Sequence, residues 1–372
     1  MNFNFFPGFG ELVLAIILGV VQGVTEFLPI SSTAHLRLVS AFFGGKDIGL
    51  KASNIIQFGT LLAILQYFKL DLQVFWERII NILTDQKEMQ KFVQTFQNWL
   101  KNENSQEENK EIGEIVKDNL EDRIAPKQNP NLQNNSKKSI QENISNQTKN
   151  TKKQTDFETD ILISQLIIGT IPIVILGFLL KNFAESNRNI SEIGLFMIMG
   201  ALLLGFGEYF YTKTSTFKHS KIQTFGETLM IGFFQSLAIF PGMSRSGSTL
   251  AGSLFVGRNR QESVRFVFLL SIPALFLSGV LDMISLVRDI FKNGITIMPQ
   301  DNFASSPKLK LSIISLLISF SLAYLIGLAC LSWLLKFLST NTNLNFIIYR
   351  ILLGFCLILL SFISASLGVF RF

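Results

Sequence analysis

An apolar run interrupted by ionisable residues constrains this chain most. Residues Gly19 to Arg37 read Gly-Val-Val-Gln-Gly-Val-Thr-Glu-Phe-Leu-Pro-Ile-Ser-Ser-Thr-Ala-His-Leu-Arg. The run begins in a stretch apolar enough for membrane depth, yet it carries Gln22, Glu26, Ser31, Ser32, His35 and Arg37 around Pro29. An ionised side chain in hydrocarbon costs about 3 kcal/mol or more. Proline ends the helical pattern just before it. Polar, non-helical backbone at that depth is tolerated only against protein or water. The stretch reads as a buried site, with the rest of the chain as its frame.

The frame is a membrane one. Of 372 residues, 48% are hydrophobic and 36 are Phe, and the mean hydropathy is +0.37. Several apolar runs of about twenty residues recur, each long enough to cross a bilayer core. They are continuous rather than alternating, which argues against a β-barrel. The net charge of +6 lies largely in one hydrophilic insert and in short loops. Positive loops facing the cytoplasm account for it better than nucleic-acid binding. Cys330 and Cys356 sit in apolar runs without metal or disulfide spacing and read as buried, inert thiols. The N-terminus lacks a basic segment, so the first apolar run is expected to be retained.

Taken in order, residues 11–28 form an apolar helix ending at Pro29, and 31–43 a short second helix with Ser31 or Ser32 as N-cap, closed by Gly44-Gly45. Helix, polar break and helix together suit a re-entrant hairpin. Residues 53–69 are the first crossing. Residues 71–100 turn amphipathic, with Phe92, Phe96, Trp99 and Leu100 on one face and Lys87, Lys91 and Lys101 nearby. That face suits either an anionic membrane surface or a helical packing contact. Residues 101–156 lack aromatics, are rich in Asn, Gln, Lys and Glu, and are expected to be disordered. Crossings follow at 159–181 and 190–211, then a Lys-rich loop, then an apolar helix over 223–240. This helix breaks at Pro241-Gly-Met-Ser-Arg-Ser-Gly-Ser-Thr249, and a short helix continues to Val256. Further crossings are 263–287, 310–337 and 344–370.

The two broken stretches resemble each other. Gly19 to Phe27 aligns without gaps on Gly232 to Phe240, with Gln22 on Gln235, and a proline and a serine-rich turn follow in both. Gln57-Phe58 resembles Arg265-Phe266. Each half is one hairpin plus three crossings, and an odd number of crossings inverts the second half. The expected fold is an all-α polytopic membrane protein with about six transmembrane helices plus two re-entrant helix-loop-helix hairpins in inverted repeats. Residues 1–70 and 159–372 form one membrane domain (repeats at about 11–211 and 223–370), and 71–158 form a cytoplasmic insert. The insert, the 212–222 loop and the 257–262 loop share the basic side, so the first hairpin opens outward.

The breaks carry complementary chemistry. Gln22 and Glu26 are at i,i+4 on one helix face, and a carboxylate plus an amide oxygen suits a hard cation such as Mg²⁺ or Ca²⁺. The alternative is a Glu26 paired with an arginine for structure. Ser32 and His35 are helical neighbours at i,i+3. The hydroxyl can be an activated nucleophile, or the imidazole can attack or protonate a leaving group. In the second break Gly242, Ser244, Ser246, Gly247, Ser248 and Thr249 offer hydroxyls and backbone N–H groups at a helix N-terminus, a phosphate-attracting turn. Arg245 adds a planar fork for phosphate oxygens. Its alternative is a structural arginine bonding carbonyls. The P-loop pattern is absent.

Gln22-Gly-Val-Thr-Glu26-Phe-Leu-Pro-Ile-Ser-Ser-Thr-Ala-His35 and Pro241-Gly-Met-Ser-Arg245-Ser-Gly-Ser-Thr249 resemble the paired signatures of the undecaprenyl-diphosphate phosphatases of the bacitracin-resistance type. Ile56-Gln57-Phe58-Gly59-Thr60 and Phe268-Leu-Leu-Ser-Ile-Pro273 match as well, and the resemblance covers the chain apart from the insert. It implies hydrolysis of undecaprenyl diphosphate to the monophosphate and phosphate, recycling the lipid carrier of cell-wall synthesis and giving bacitracin resistance. It implies a multi-pass protein of the bacterial inner membrane, often a homodimer, with its site facing outward. By motif, Glu26, Ser32, His35 and Arg245 take catalytic positions, and Glu26 with Gln22 the metal position. Gln22, Ser31, Thr33, Gly242, Ser244, Ser246, Gly247 and Thr249 line the diphosphate site. Two positions depart from the pattern: Gln22 stands where many relatives carry Glu, and Ser53 where relatives often have an acid. A different class, a lipid-phosphate or ion transporter, would use the same inverted-repeat layout.

Overall fold

The computed structural model describes residues 8–43, 48–101, 136–180, 189–213, 224–293, 312–338 and 340–367. Its helices are α1 (Phe9–Thr25), α2 (Ser32–Phe42), α3 (Gly49–Tyr67), α4 (Lys69–Thr84), α5 (Gln86–Lys101), α6 (Ser136–Leu179), α7 (Ile190–Lys213) and α8 (Phe225–Ser236). A 3₁₀ turn at Leu237–Ile239 follows, then α9 (Arg245–Phe255), α10 (Arg260–Asn293), α11 (Ile313–Leu338) and α12 (Leu344–Leu367). No strand occurs among the described residues. Among the described residues five helices are long and apolar enough to cross a membrane: Thr155–Leu179 of α6, α7, Arg260–Leu281 of α10, α11, and Leu344–Ser364 of α12. The pair α3–α4, bent by 78°, is a sixth if it is counted as one span. α1 is apolar but has 17 residues, about 25 Å of helix against a core of about 30 Å. The chain is therefore a multi-pass, all-α membrane protein in which α1 and α8 are shorter apolar helices.

The described chain divides into two compact units. The first, Met1–Lys69 with Ile168–Lys221 and Leu229–Phe372, holds both breaks. α1 lies on α11, α3 on α10 and α11, α7 on α12, and α9 on α7. Lipid gives helices no hydrophobic reason to associate, so small residues that let backbones touch decide these contacts. A β-carbon on Gly19 would fall 2.6 Å from the Ser319 carbonyl oxygen. One on Gly232 would collide with the Gly169 backbone in the same way. Gly194 of α7 and Gly354 of α12 are reciprocal: a β-carbon on either would lie 2.6 Å from the other's carbonyl oxygen.

Those paired glycines reflect the repeat, which reaches further than the sequence match. α2 and α9 each have 11 residues. Gly19 through Phe43 corresponds without a gap to Gly232 through Val256. Ser31 (φ 73°) and Ser244 (φ 65°), immediately before these helices, occupy equivalent positions. They are the non-glycine residues with positive φ among those described, a conformation that costs about 1 kcal/mol or more outside glycine. Ser244 caps its helix by accepting from Gly247 N at 3.2 Å, whereas the Ser31 side chain makes no cap bond.

The second unit comprises Leu70–Ile167 and Ile222–Thr228. Arg78 grips Asp160 with two bonds of 2.7 Å and Glu88 with one of 2.6 Å, tying α4, α5 and α6 together. Phe92, Phe96, Trp99 and Phe225 form a chain of ring contacts, and Trp99 is buried. The aromatic face of α5 is thus a packing face inside this unit. The polar segment expected to be disordered over 101–156 is helical from Ser136 onward. Lys, Gln and Glu are good helix formers, and the stretch runs directly into an apolar span. Residues 102–135, Gly44-Gly45, His219 and the loop with Pro299 and Pro307 lie outside the described residues.

Filling the glycine contacts tests the repeat. Gly19→Val and Gly232→Val are each expected to destabilise the protein by about 1–3 kcal/mol through overpacking. Gly177→Ala, with nothing within 4 Å of the added carbon, should not. Thermal melts in detergent followed by circular dichroism measure the difference.

Candidate active site

Glu26 follows the last residue of α1, and α1 carries Gln22 one turn earlier. Gln22 Nε2 donates to Glu26 Oε2 at 2.9 Å, and Ser32 Oγ, from the start of α2, donates to the same oxygen at 2.7 Å. Gln57 Nε2, from α3, donates to Oε1 at 2.6 Å. Arg245 Nη1, from the start of α9, lies 3.9 Å from Oε1. One carboxylate therefore collects groups from α1, α2, α3 and α9. Arg245 is not satisfied by this: its Nε and Nη1 are buried with no hydrogen-bond partner among the described residues. A buried guanidinium with unused donors beside a carboxylate is suited to receive an anion. Glu26 and Arg245 also line a small cavity whose other walls include Phe27, Ile64, Val267 and Phe268.

His35 stands apart from this cluster. Its Nδ1 lies 2.7 Å from the Ser31 carbonyl oxygen, and its Nε2 2.7 Å from the Tyr349 hydroxyl. A carbonyl only accepts, so Nδ1 carries the proton, and Nε2 of the neutral ring accepts from Tyr349. The two rings stack with centroids 5.7 Å apart. The Ser32–His35 pair expected from i,i+3 spacing is not made. Ser32 is the first residue of α2, and its hydroxyl reaches back to the carboxylate across the break instead.

The second break is more occupied by the fold than its composition suggests. Ser246 Oγ donates to the Leu28 carbonyl at 3.2 Å, tying the two breaks together. Ser248 Oγ donates to Met243 O at 3.3 Å and Thr249 Oγ1 to Arg245 O at 2.7 Å. Ser244 Oγ sits 3.2 Å from Ser246 Oγ. Gly242 takes φ 108°, which glycine alone adopts without strain.

The residue-level match is echoed along the whole chain. The family model for the bacitracin resistance protein BacA matches residues 15–102 and 134–356. The chain belongs to that family. It is similar to an undecaprenyl-diphosphatase of Gloeobacter violaceus, 32% identical over 361 residues, with 95% of this chain and 92% of the relative covered. An undecaprenyl-diphosphatase of Chloroherpeton thalassium is 31% identical, with 94% and 97% covered. One of Nocardia farcinica is 31% identical, with 92% and 93% covered.

Against the family signatures, Gln22, Glu26, Ser32 and Arg245 converge on one point, joined by Gln57. His35, on α2, lies one step outward, against Tyr349 of α12. Thr249 and Ser248 serve the α9 turn. Two residues were invisible to sequence reasoning: Tyr349 and Arg350, consecutive on α12. Arg350 is fully buried and donates to carbonyls of both breaks. The carbonyl-bonding role open to Arg245 belongs to Arg350. Its signal was an arginine inside an apolar run, a costly placement that marks a site.

The tautomer can be checked directly. In protein labelled at histidine, nitrogen resonances are expected to show His35 as the neutral Nδ1–H form. Tyr349→Phe should move the Nε2 resonance toward that of an unbonded ring nitrogen while leaving Nδ1 in place.

Proposed function

We propose that the chain hydrolyses undecaprenyl diphosphate to undecaprenyl phosphate and inorganic phosphate within the membrane. This activity returns the lipid carrier to cell-wall synthesis and accounts for bacitracin resistance. The observation that carries the mechanism is the Ser32–Glu26–Arg245 arrangement: a hydroxyl donating to a carboxylate, beside an arginine with unused donors.

In this reading Arg245 takes non-bridging oxygens of the diphosphate in its fork, and the charge that develops on phosphorus is met at that guanidinium. Ser32 Oγ attacks the terminal phosphorus and its proton passes to Glu26 Oε2, 2.7 Å away. The P–O bond to the prenyl phosphate breaks, leaving phosphoserine and undecaprenyl phosphate. The proton on Glu26 leaves with undecaprenyl phosphate, so the carboxylate can deprotonate a water. The hydroxide attacks phosphorus, the Ser32 Oγ–P bond breaks, and Glu26 returns its proton to Ser32 Oγ as phosphate departs. The geometry favours serine over histidine as nucleophile, because both ring nitrogens of His35 are engaged. His35 braces the left-handed turn at Ser31 and so fixes where α2 begins. Phe27, Ile64, Val267 and Phe268 present apolar surface beside Glu26 and Arg245, the chemistry that the first isoprene units of the substrate would need. Ser31, Thr33, Gly242, Ser244, Ser246 and Gly247 frame the head-group side.

A divalent cation, Mg²⁺ or Ca²⁺, belongs to this proposal. Among the described residues no group of three or more His, Cys, Asp or Glu gathers, so an all-protein cage is absent there. The donor set still suits a hard cation shared with substrate. Glu26 is flanked by the amides of Gln22 and Gln57, whose oxygens face the carboxylate when the amides are turned over. When bound there, the ion would neutralise diphosphate charge. The localisation we infer is the bacterial inner membrane with the site facing outward, since the basic loops mark the cytoplasmic side. A homodimer is part of the same reading. Transport by the inverted-repeat layout alone would not require a serine aimed at Glu26.

Purified protein in detergent should release phosphate from undecaprenyl diphosphate. Glu26→Ala, Ser32→Ala and Arg245→Ala are each expected to lower kcat by about 10²-fold or more. Full turnover in any of them would remove that residue from the mechanism. An acid-stable phosphoenzyme lost in Ser32→Ala supports the serine route, and an acid-labile one retained there supports His35. Chelation should reduce turnover and Mg²⁺ or Ca²⁺ restore it; indifference to chelator would remove the cation.

A further inference from the structure

Arg350 is the largest fully buried side chain among the described residues. It sits on α12, which neither signature includes. Its Nη1 donates to the Pro29 carbonyl at 3.3 Å, in the first break. Its Nη2 donates to the Gly242 carbonyl at 3.1 Å and the Met243 carbonyl at 2.8 Å, in the second. No ion pair to it occurs among the described residues. A buried guanidinium met only by carbonyls is an expensive way to hold a fold, and apolar packing of the same volume often does better. Its geometry offers something packing cannot: one rigid plane fixes three carbonyls from two chain segments at once.

Those segments carry the two halves of the chemistry. Pro29 stands between Glu26 and Ser32, and Gly242-Met243 immediately precede Ser244-Arg245. The structure also makes room for the clamp. A β-carbon on Gly247 would lie 2.8 Å from Arg350 Nη1, and one on Gly200 of α7 would collide with Nη2. Because peptides are trans, holding the Met243 carbonyl turns the Ser244 N–H the opposite way.

We propose that Arg350 is a positioning residue for the diphosphatase reaction: it sets the distance between the Glu26–Ser32 half-site and the Arg245 half-site. It touches no substrate. Each half can still bind its part of the head group when the clamp is lost, but the attacking hydroxyl and the arginine fork no longer address one phosphorus together. A misplacement of about 1 Å suffices to cost about 10²-fold in rate.

The inference rests on the activity proposed above, and the experiment separates the two. Wild-type protein, Arg350→Lys and Gly200→Ala are compared for phosphate release from undecaprenyl diphosphate. Failure of the wild type would overturn the activity itself. Lysine keeps the charge but presents one point in place of a fork. Gly200→Ala keeps Arg350 and displaces it from a position outside the site. Both are expected to lower kcat at least about tenfold with KM changed by less than about threefold. Arg350→Lys should add little to Arg245→Lys in the double variant, because the two act through the same alignment. A merely structural arginine would instead lower the folded fraction and leave kcat per folded molecule unchanged. That result, wild-type kcat in folded Gly200→Ala, or full additivity with Arg245→Lys would each overturn the proposal.

Discussion

A carboxylate at membrane depth is tolerable only while donors surround it, and Glu26 is where this structure meets that condition. Gln22, Ser32 and Gln57 donate to its two oxygens, and Arg245 faces it. Those four groups come from four helices, so satisfying one charge fixes the mutual placement of α1, α2, α3 and α9. The short helices α1 and α2 would otherwise leave helix ends in an apolar layer with unpaired backbone groups. The same bonds that make the charge tolerable also leave Ser32 donating to a carboxylate and Arg245 short of acceptors. Stability and chemistry are two readings of one hydrogen-bond set.

The second requirement is that two separate chain breaks stay in register. Ser246 reaches the Leu28 carbonyl, and Arg350 reaches carbonyls on both sides. Close glycine contacts between α1 and α11 and between α8 and α6 hold the helices that lead into those breaks, and a further pair joins α7 to α12. Lipid supplies no general driving force for these contacts. They depend on backbone-to-backbone approach, and bulk at Gly19, Gly194 or Gly354 would therefore act on the site from a distance.

What the sequence reveals and what it hides divide along a physical line. Local spacing works where both partners lie on one regular helix, which is why Gln22 and Glu26 are found together. It fails at Ser32 and His35. The i,i+3 rule assumes an interior helical turn, and Ser32 is instead the first residue of α2, free to bond back across the break. Arg350 stood out only as an arginine in an apolar run; its partners, like that of Tyr349, are more than a hundred positions away, so local spacing could not name them. The helical stretch from Ser136 was hidden for a different reason: its composition lacks aromatics, yet it continues a strong span. The repeat was legible in its element order and in a gapless nine-residue match. The gapless correspondence continues through α2 and α9, where side chains diverge but helix length and the positive φ before each helix do not.

That divergence explains how a duplicated frame makes an undivided site. Ser31 and Ser244 occupy equivalent left-handed positions, and the residues that follow them, Ser32 and Arg245, are equivalent first residues of equivalent helices. Inverted repeats bring such positions together near the midplane. Had both carried serine, the site would have nucleophiles and no anion fork; had both carried arginine, two buried cations would face each other. One of each, with Glu26 matched in the repeat by an apolar Ile239, would in the proposed mechanism supply an attacking group from one break and a charge-stabilising group from the other. The asymmetry that phosphoryl transfer needs is written in side chains, while the repeated backbone supplies only the meeting point.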